Sequence, residues 1–370
     1  IMNNKTFQTF FDFGFSKVRA GTFNLDNRDE AFYAESEFFI DRSNLETKVE
    51  KIITSLEKST NEYINNINLM VDSPKTLSIG ISLSKKLDRS TLKQENIKFL
   101  VQEAKQQILK YYINHNIAHI IISNYKIDGI DYSYFPDQID CNFISLDLLF
   151  ICLPKDLILD LKNIFSKSNI LIDQILCSSY TKSINYKDNL NLSGYTAFID
   201  VGFNRTSIIS YLDDKIISLN VLPIGGNYIT KDISKVLEID LYRSEQLKLN
   251  FNKNAKFLNN ENISLEILHK IILARTEEIL ELCCTSIKSC PFTANTFKMI
   301  LTGDGLKVFD NKRKDEISFL NSIDFLEENL ESVCQSGFRF ISELNRHEVI
   351  IVPKKPLKQG FFEKLFHLFK

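Results

Sequence analysis

Two stretches of this chain, far apart in sequence, are variations on one pattern. FFDFGFSKVRAGTFN begins at Phe10 and AFIDVGFNRTSIISYL begins at Ala197. Each reads as an apolar strand ending in Asp-x-Gly-Phe, a short polar turn and a second strand. A third strand follows in EAFYAESEFF and in KIISLNVLPIGG. A chain of 370 residues exceeds one ordinary core, so two or more units are expected from length alone. The approximate duplication narrows that to two alike βββα units facing each other across a cleft.

Periodicity fills in the rest. Helical spacing runs through LETKVEKIITSLEKSTNEYI, between Asn44 and Ile67, with a strand at NINLMVD. A charged helix is expected from Leu92 to Tyr112, strands at IAHIIISNYKIDGIDY and FISLDLLFICL, and a helix from Asp156 to Ser166. Together these make a small α+β block. After Gly226 come the helix ITKDISKVLEI, a charged helical stretch to about Cys290, the strand FKMILTGDG and a helix including Glu327 to Leu344. The hydrophobic share of 44%, the charged share of 25% and the net charge of −2 describe a soluble globular protein with no call for nucleic acid. The first residues lack the apolar core of a signal peptide, and no apolar stretch approaches transmembrane length. The cysteines have no metal-ligand spacing and read as reduced, buried thiols.

An Asp-x-Gly at a hairpin apex suits phosphate for a physical reason. Glycine lets the backbone approach a phosphate oxygen, and successive N–H groups of the turn make an anion-binding nest. The aspartate holds Mg²⁺ through water, and Mg²⁺ bridges the phosphates. Asp12 with Gly14, and Asp200 with Gly202, are therefore candidates to grip one polyphosphate from two sides. A third glycine turn, Thr302 to Gly305, ends a strand and would meet the α-phosphate or the adenosine.

Residues 357–370, LKQGFFEKLFHLFK, carry a different signal. Phe361, Phe362, Leu365, Phe366 and Phe369 share one helical face, while Lys358, Lys364 and Lys370 lie on the other. Pro353, Lys354, Lys355 and Pro356 set the segment apart. It is too short to cross a bilayer, which takes about 20 apolar residues. It suits the headgroup plane, lysines against anionic lipid, or docking onto its own domain.

The phrases PIGGNYITKDIS and ARTEEILELCCTSIK, the strand-turn MILTGDG and the terminal amphipathic segment, in this order, resemble the FtsA family of bacterial cell-division proteins. FtsA falls in the actin and sugar-kinase superfamily, and DFGFSKVRAG is similar to its first phosphate loop. The resemblance implies an α/β, two-lobed actin-like ATPase fold of duplicated RNase H-like units. An FtsA-type extra α+β subdomain and a C-terminal amphipathic helix complete it. The implied division gives the first lobe 1–76 and 170–193, the extra subdomain 77–169, and the second lobe 194–239 and 295–348. A helical insertion takes 240–294, a linker 349–356 and the membrane helix 357–370.

Carried over residue by residue, the resemblance implies ATP and Mg²⁺ as cofactors. Asp12, Gly14, Ser16 and Lys17 would form the first phosphate loop, and Asp200, Gly202, Asn204 and Thr206 the second. Asp12 and Asp200 would hold the metal through water. Gly225 and Gly226 would line the nucleoside, Glu278 would reach the ribose or adenine, and Gly303, Asp304 and Gly305 would close the base pocket. Implied partners are the acidic tail of the tubulin homologue FtsZ on Arg243, Lys248, Lys253, Lys256 and Arg275, an anionic membrane, further copies in a polymer, and other division proteins through the extra subdomain. The implied role is to tether the FtsZ ring to the inner face of the cytoplasmic membrane at the division site. Rivals are a pilus-assembly adaptor and a superfamily small-molecule kinase.

Departures from the family pattern bear on the chemistry. The second loop usually runs Asp-x-Gly-Gly-Gly-Thr-Thr-Asp, whereas residues 200–207 read DVGFNRTS. Phe203 and Asn204 remove two glycines, and Ser207 stands at the closing aspartate. Arg205 either adds charge towards phosphate or sits on the surface. Ser178 and Ser179 stand where relatives place a water-positioning amide or carboxylate, so hydrolysis is expected to be weak or absent. Asp213 and Asp214 read as a solvated turn, and His115 and His119, at helical spacing, as no ligand pair.

Overall fold

The duplication in the sequence becomes a duplication of sheets. A computed structural model describes residues 6–38, 43–136, 138–251, 263–288, 297–308, 323–342 and 348–349. Strands β1 (Phe7–Phe13), β2 (Lys17–Asn24) and β3 (Ala31–Glu37) form an antiparallel meander. To it β4 (Asn66–Val71) and β9 (Leu171–Cys177) add in parallel, giving the order β3-β2-β1-β4-β9. The second sheet repeats the plan with β10 (Tyr195–Val201), β11 (Thr206–Leu212), β12 (Lys215–Leu222), β13 (Phe297–Thr302) and β14 (Ile323–Phe325), in the order β12-β11-β10-β13-β14. A third sheet holds β5 (Leu77–Thr91), β6 (His115–Ile127), β8 (Asp140–Pro154) and β15 (Glu348–Val349), ordered β15-β6-β8-β5, with β7 (Ile130–Tyr132) on β6.

Helices cover these sheets with the faces their spacing dictates. In α1 (Leu45–Thr60), Leu45, Val49, Ile52, Ile53 and Leu56 are buried, one stripe at helical period, against the first sheet. The helix stops where Asn61 turns left-handed at φ 55°. Leu100, Val101, Ala104 and Ile108 of α2 (Gln94–Tyr111) do the same on the third sheet. Helix α3 (Lys155–Ser166) brings Phe165 edge-on to Phe11, ring centroids 5.0 Å apart. On the second sheet lie α5 (Gly226–Leu237), α6 (Leu241–Asn250) and α7 (Leu265–Lys288), which bury Ile229, Leu247, Ile272 and Ile279 in one cluster. Two helices differ in kind. In α4 (Ser178–Asn189) the buried residues include Ser179, Thr181, Lys182 and Asn185, and α8 (Leu330–Ser342) meets it through Asn185 to Ser336 (3.0 Å) and Tyr180 against Phe340. These two pack against residues from both duplicated sheets.

Three local features go beyond the periodicity. Within LIDQILCSSYTKS, β9 ends at Cys177 and α4 begins at Ser178. There the Asp72 carboxylate accepts the Ser179 N–H (3.0 Å), satisfying a first-turn donor and placing negative charge at the helix N-terminus. β5 went unread, although Leu77, Ile79, Ile81 and Leu83 alternate as a strand requires. His115 and His119 lie on β6, not at helical spacing, and the buried His119 Nε2 accepts the Cys177 N–H at 2.8 Å. Among the described residues no helix is long and apolar enough to cross a membrane. The amphipathic segment 357–370 lies outside the described residues.

Candidate functional site

The two Asp-x-Gly hairpins close with the same bond. The Gly14 N–H donates to the Lys17 carbonyl (2.9 Å), and the Gly202 N–H to the Arg205 carbonyl (2.8 Å). A Cβ on Gly14 would stand 2.8 Å from the Lys17 oxygen, so this turn requires glycine. Strand register extends the equivalence. Asp12 lies beside Met70 and Asp200 beside Thr302 on the neighbouring parallel strands. Asp72 and Asp304, each two residues past those neighbours, therefore hold matching places beyond β4 and β13.

Side chains, not backbone, set the character of the cleft between these turns. Lys17, Arg19, Lys182 and Arg205 share its lining with Asp12, Asp72, Asp200, Asp304 and Glu328. Arg205 is 7% exposed; it donates to the Asp200 carbonyl (2.6 Å), to Asp200 Oδ2 (3.0 Å) and to the Asp72 carboxylate. Lys182 Nζ lies 2.9 Å from Asp200 Oδ2 and 2.8 Å from Glu328 Oε1, with all three side chains buried. Arg19 donates to Asp304 and stands 3.5 Å from Asp12 Oδ2. Lys17 reaches Glu37 (3.0 Å) and Asp304 (3.6 Å), and Lys307 reaches Asp304 at 2.6 Å. Asp72 accepts in addition from the Ser179 hydroxyl (3.1 Å) and the Cys177 thiol (3.2 Å), and the Ser178 hydroxyl donates to Asp12 at 2.5 Å.

Ionisation follows from this pairing. Burial works against the charge of Asp200, but Arg205 and then Lys182 outweigh it and hold the carboxyl well below the usual range. Asp304 is held at about 2: burial is outweighed by Arg19, Lys17 and Lys307. Glu328 moves the other way, because burial raises it, Lys182 offsets only part, and the charge of Asp200 adds to the rise. Its Oε2 has no partner among the described residues. Burial opposes the charge on Lys182 too, and Asp200 with Glu328 reverse that and push it well above its ordinary value.

The glycines expected around a nucleoside do other work. A Cβ on Gly225 would lie 2.5 Å from the Gly202 carbonyl oxygen, one on Gly226 2.5 Å from that of Gly305, and one on Gly305 2.3 Å from that of Gly202. Three loops of the second lobe thus pack backbone on backbone. The N–H groups opening α5 are used there, Gly226 donating to Gly202 (2.9 Å) and Asn227 to Phe203 (2.8 Å). Gly303, at φ +91°, needs a conformation side chains rarely adopt.

The space left in the cleft is about 70 Å³, enough for a handful of waters. A second cavity of about 190 Å³ adjoins it beside Ser16, Lys17 and Gly305, with Glu245 and Lys248 in its wall; Phe203 lines both. Asp12, Gly14, Ser16, Lys17, Asp200, Gly202, Asn204, Gly303 and Asp304 all line the first cavity. Thr206 is turned inward, its hydroxyl on the Ile224 carbonyl (2.7 Å). Gly225, Gly226 and Glu278 line neither cavity, and Glu278 pairs with Arg275 at 2.5 Å. The basic grouping does not form one patch. Lys248 is buried, bound to Glu245 (2.8 Å), the Gly226 carbonyl (3.0 Å) and Thr230 (2.9 Å), because α6 packs that face on α5. Arg275 is committed to Asp232, at 2.5 and 3.0 Å, Arg243 is exposed, and Lys253 and Lys256 lie outside the described residues.

Sequence reading missed Asp72, Lys182, Glu328 and Arg19, and left Arg205 between phosphate contact and surface. It is neither: it is buried against two carboxylates. Of the two acids expected to hold Mg²⁺ through water, Asp200 shares its Oδ2 between Arg205 and Lys182, and Asp12 is bound by Ser178 and faced by Arg19. As arranged, the residues of the cleft do not fit a magnesium-bound polyphosphate.

Comparison with known proteins gives the setting. The family model for cell division protein FtsA matches residues 197–278. The FtsA of Buchnera aphidicola subsp. Acyrthosiphon pisum is 24% identical over 353 residues, 82% of each chain. That of Buchnera aphidicola subsp. Schizaphis graminum is 23% identical over 321 residues, covering 77% of this chain and 72% of its own. Among solved structures, the PilM-PilN type IV pilus biogenesis complex aligns with TM-score 0.62 at 10% identity, over 88% of this chain and 89% of the other. The resemblance to FtsA and the actin-like fold expected from it are both borne out.

Proposed function

We infer that this chain, an actin-like relative of the FtsA cell-division proteins, acts as an adaptor that holds a polymerising division protein, FtsZ, against the inner face of the cytoplasmic membrane. The observation that carries this reading is the FtsA likeness across most of the chain, joined to the amphipathic pattern of residues 357–370. Full burial of a Phe or Leu is worth about 1.5–3 kcal/mol, and each lysine near an anionic surface about 1 kcal/mol. Five anchors only part-buried in the headgroups must also offset the ordering of the helix, so one copy binds weakly. Self-association would place many tails on one surface and convert weak contacts into firm attachment. The third sheet, which packs on the duplicated pair through Ile121 and Ile151, offers its outer surface to further division proteins and to polymer neighbours. For the FtsZ tail, Lys248 is buried against Glu245 and Arg243 is exposed on α6, so the acidic peptide is assigned to the solvent-facing side of that region.

The test is co-sedimentation with anionic liposomes. Phe362→Glu with Phe366→Glu should release the chain while its melting temperature stays unchanged. Binding that survives both substitutions, or a fall in melting temperature, rejects the tether.

A further inference from the structure

We propose that the cleft is closed by reciprocal ion-pair clasps that stand in for a metal-bound polyphosphate, so that the lobes stay shut without nucleotide. The inference rests on the actin-like division reading only for what such a cleft would otherwise hold. Its warrant is positional. Lys17 and Arg205 sit at the same place in the two hairpins, each five residues past its Asp and each closing the turn through its carbonyl. Asp72 and Asp304 sit at the same place beyond β4 and β13. The first hairpin sends Lys17 and Arg19 to Asp304 in the second lobe, and the second hairpin sends Arg205 to Asp72 in the first.

In a nucleotide-operated cleft these two turns reach each other through phosphate. Here they reach past that space and bind each other's carboxylates directly. Lys182, from the helix between the lobes, adds a third link to Asp200 at 2.9 Å. A polyphosphate entering with its metal would have to break at least two buried pairs and leave Asp72 and Asp200 facing an anion. The Gly14 and Gly202 N–H groups give no compensation, because they are used within their own turns. The adjoining cavity is bordered by the Lys17–Asp304 pair on one side and by Glu245 and Lys248 on the other, and it leaves room for an uncharged group.

Calorimetric titration of the full chain with ATP, with and without Mg²⁺, and with adenosine in parallel, tests the proposal. The expected result is no Mg²⁺-dependent binding and no advantage of ATP over adenosine. Saturable Mg²⁺-dependent binding, tenfold or more tighter for ATP than for adenosine, overturns it. Small-angle scattering supplies a second reading: the wild-type profile should not contract when Mg²⁺ and ATP are added, and Arg19→Gln with Arg205→Gln should expand it. Contraction of the wild type, or a folded double variant with an unchanged profile, also overturns the proposal; should the variant not fold, the wild-type titration decides. Vesicle binding measured on the same samples keeps the two readings apart. Its loss rejects the tether and not the clasps, while Mg²⁺-dependent ATP binding with vesicle binding intact rejects the clasps and not the tether.

Discussion

Arg205→Met removes the cation that ties the second hairpin to the first lobe while keeping much of its length and apolar stem. The structure sets the size of the effect. Asp72 would keep the Ser179 N–H, the Ser179 hydroxyl and the Cys177 thiol, and Asp200 would keep Lys182. What is lost is one positive charge in a place that solvent does not fill, with three donor contacts. Removing one partner of a buried pair costs about 3–5 kcal/mol, and the surviving donors place this case near the lower end, about 3 kcal/mol. At roughly 2–4 °C per kcal/mol for a domain of this class, the melting temperature should fall by roughly 6–12 °C. Circular dichroism is the assay, since the chain has no Trp to report. Asp72→Asn in the Arg205→Met background should restore part of the loss, because it removes the stranded charge, and the pair should couple by at least about 1 kcal/mol. A melting point within about 1 °C of wild type, or two strictly additive losses, would refute the account of Arg205 as a buried clasp.

Acid should weaken the cleft in a defined window. Asp304 is held at about 2, below the ordinary carboxylate value, so its contribution is complete above about pH 4 and fades as pH falls towards 2. Asp304→Asn should flatten stability against pH there by up to about 2 kcal/mol, read from urea midpoints; an unchanged slope contradicts the Arg19 pairing. Gly226→Ala should cost about 1–3 kcal/mol, because its Cβ would meet the Gly305 backbone at 2.5 and 2.8 Å, whereas Gly80→Ala, with nothing within 4 Å, should be neutral. Equal melting points for the two alanines would show that the loop junction yields. Arg275→Ala should free Asp232 and loosen α7 from α5 by about 1 kcal/mol in thermal melts, the scale of a part-exposed pair; no loss at all would mark Arg275 as available to a partner.

Much of the architecture was legible because its signals are local. Alternating apolar residues, Asp-x-Gly turns and a repeated order of elements declare the duplicated sheets without any long-range knowledge. Within the site, the same locality exposed Asp12, Gly14, Asp200 and Gly202 and hid their counterparts. Asp72 is one acid after a strand, and Glu328 one acid before a helix; nothing nearby in sequence distinguishes them from solvated carboxylates. Lys182 was a sharper clue left unused, since α4 is built largely of Ser, Thr, Tyr and Asn, yet nine of its twelve residues are buried. Lys248 misled for the opposite reason. Its neighbours Lys253 and Lys256 suggest a basic face, while its actual partner, Glu245, lies one turn back on α6. Arg205 announced itself by standing where relatives place Thr, but only the fold shows which acids it meets.

The double tenancy of Asp200, held by Arg205 and Lys182 at once, constrains how such a cleft changes over generations. Replacing either cation alone leaves an acid without its balance and a less stable intermediate sequence. The two cations and the acids they share therefore have to change together rather than one at a time.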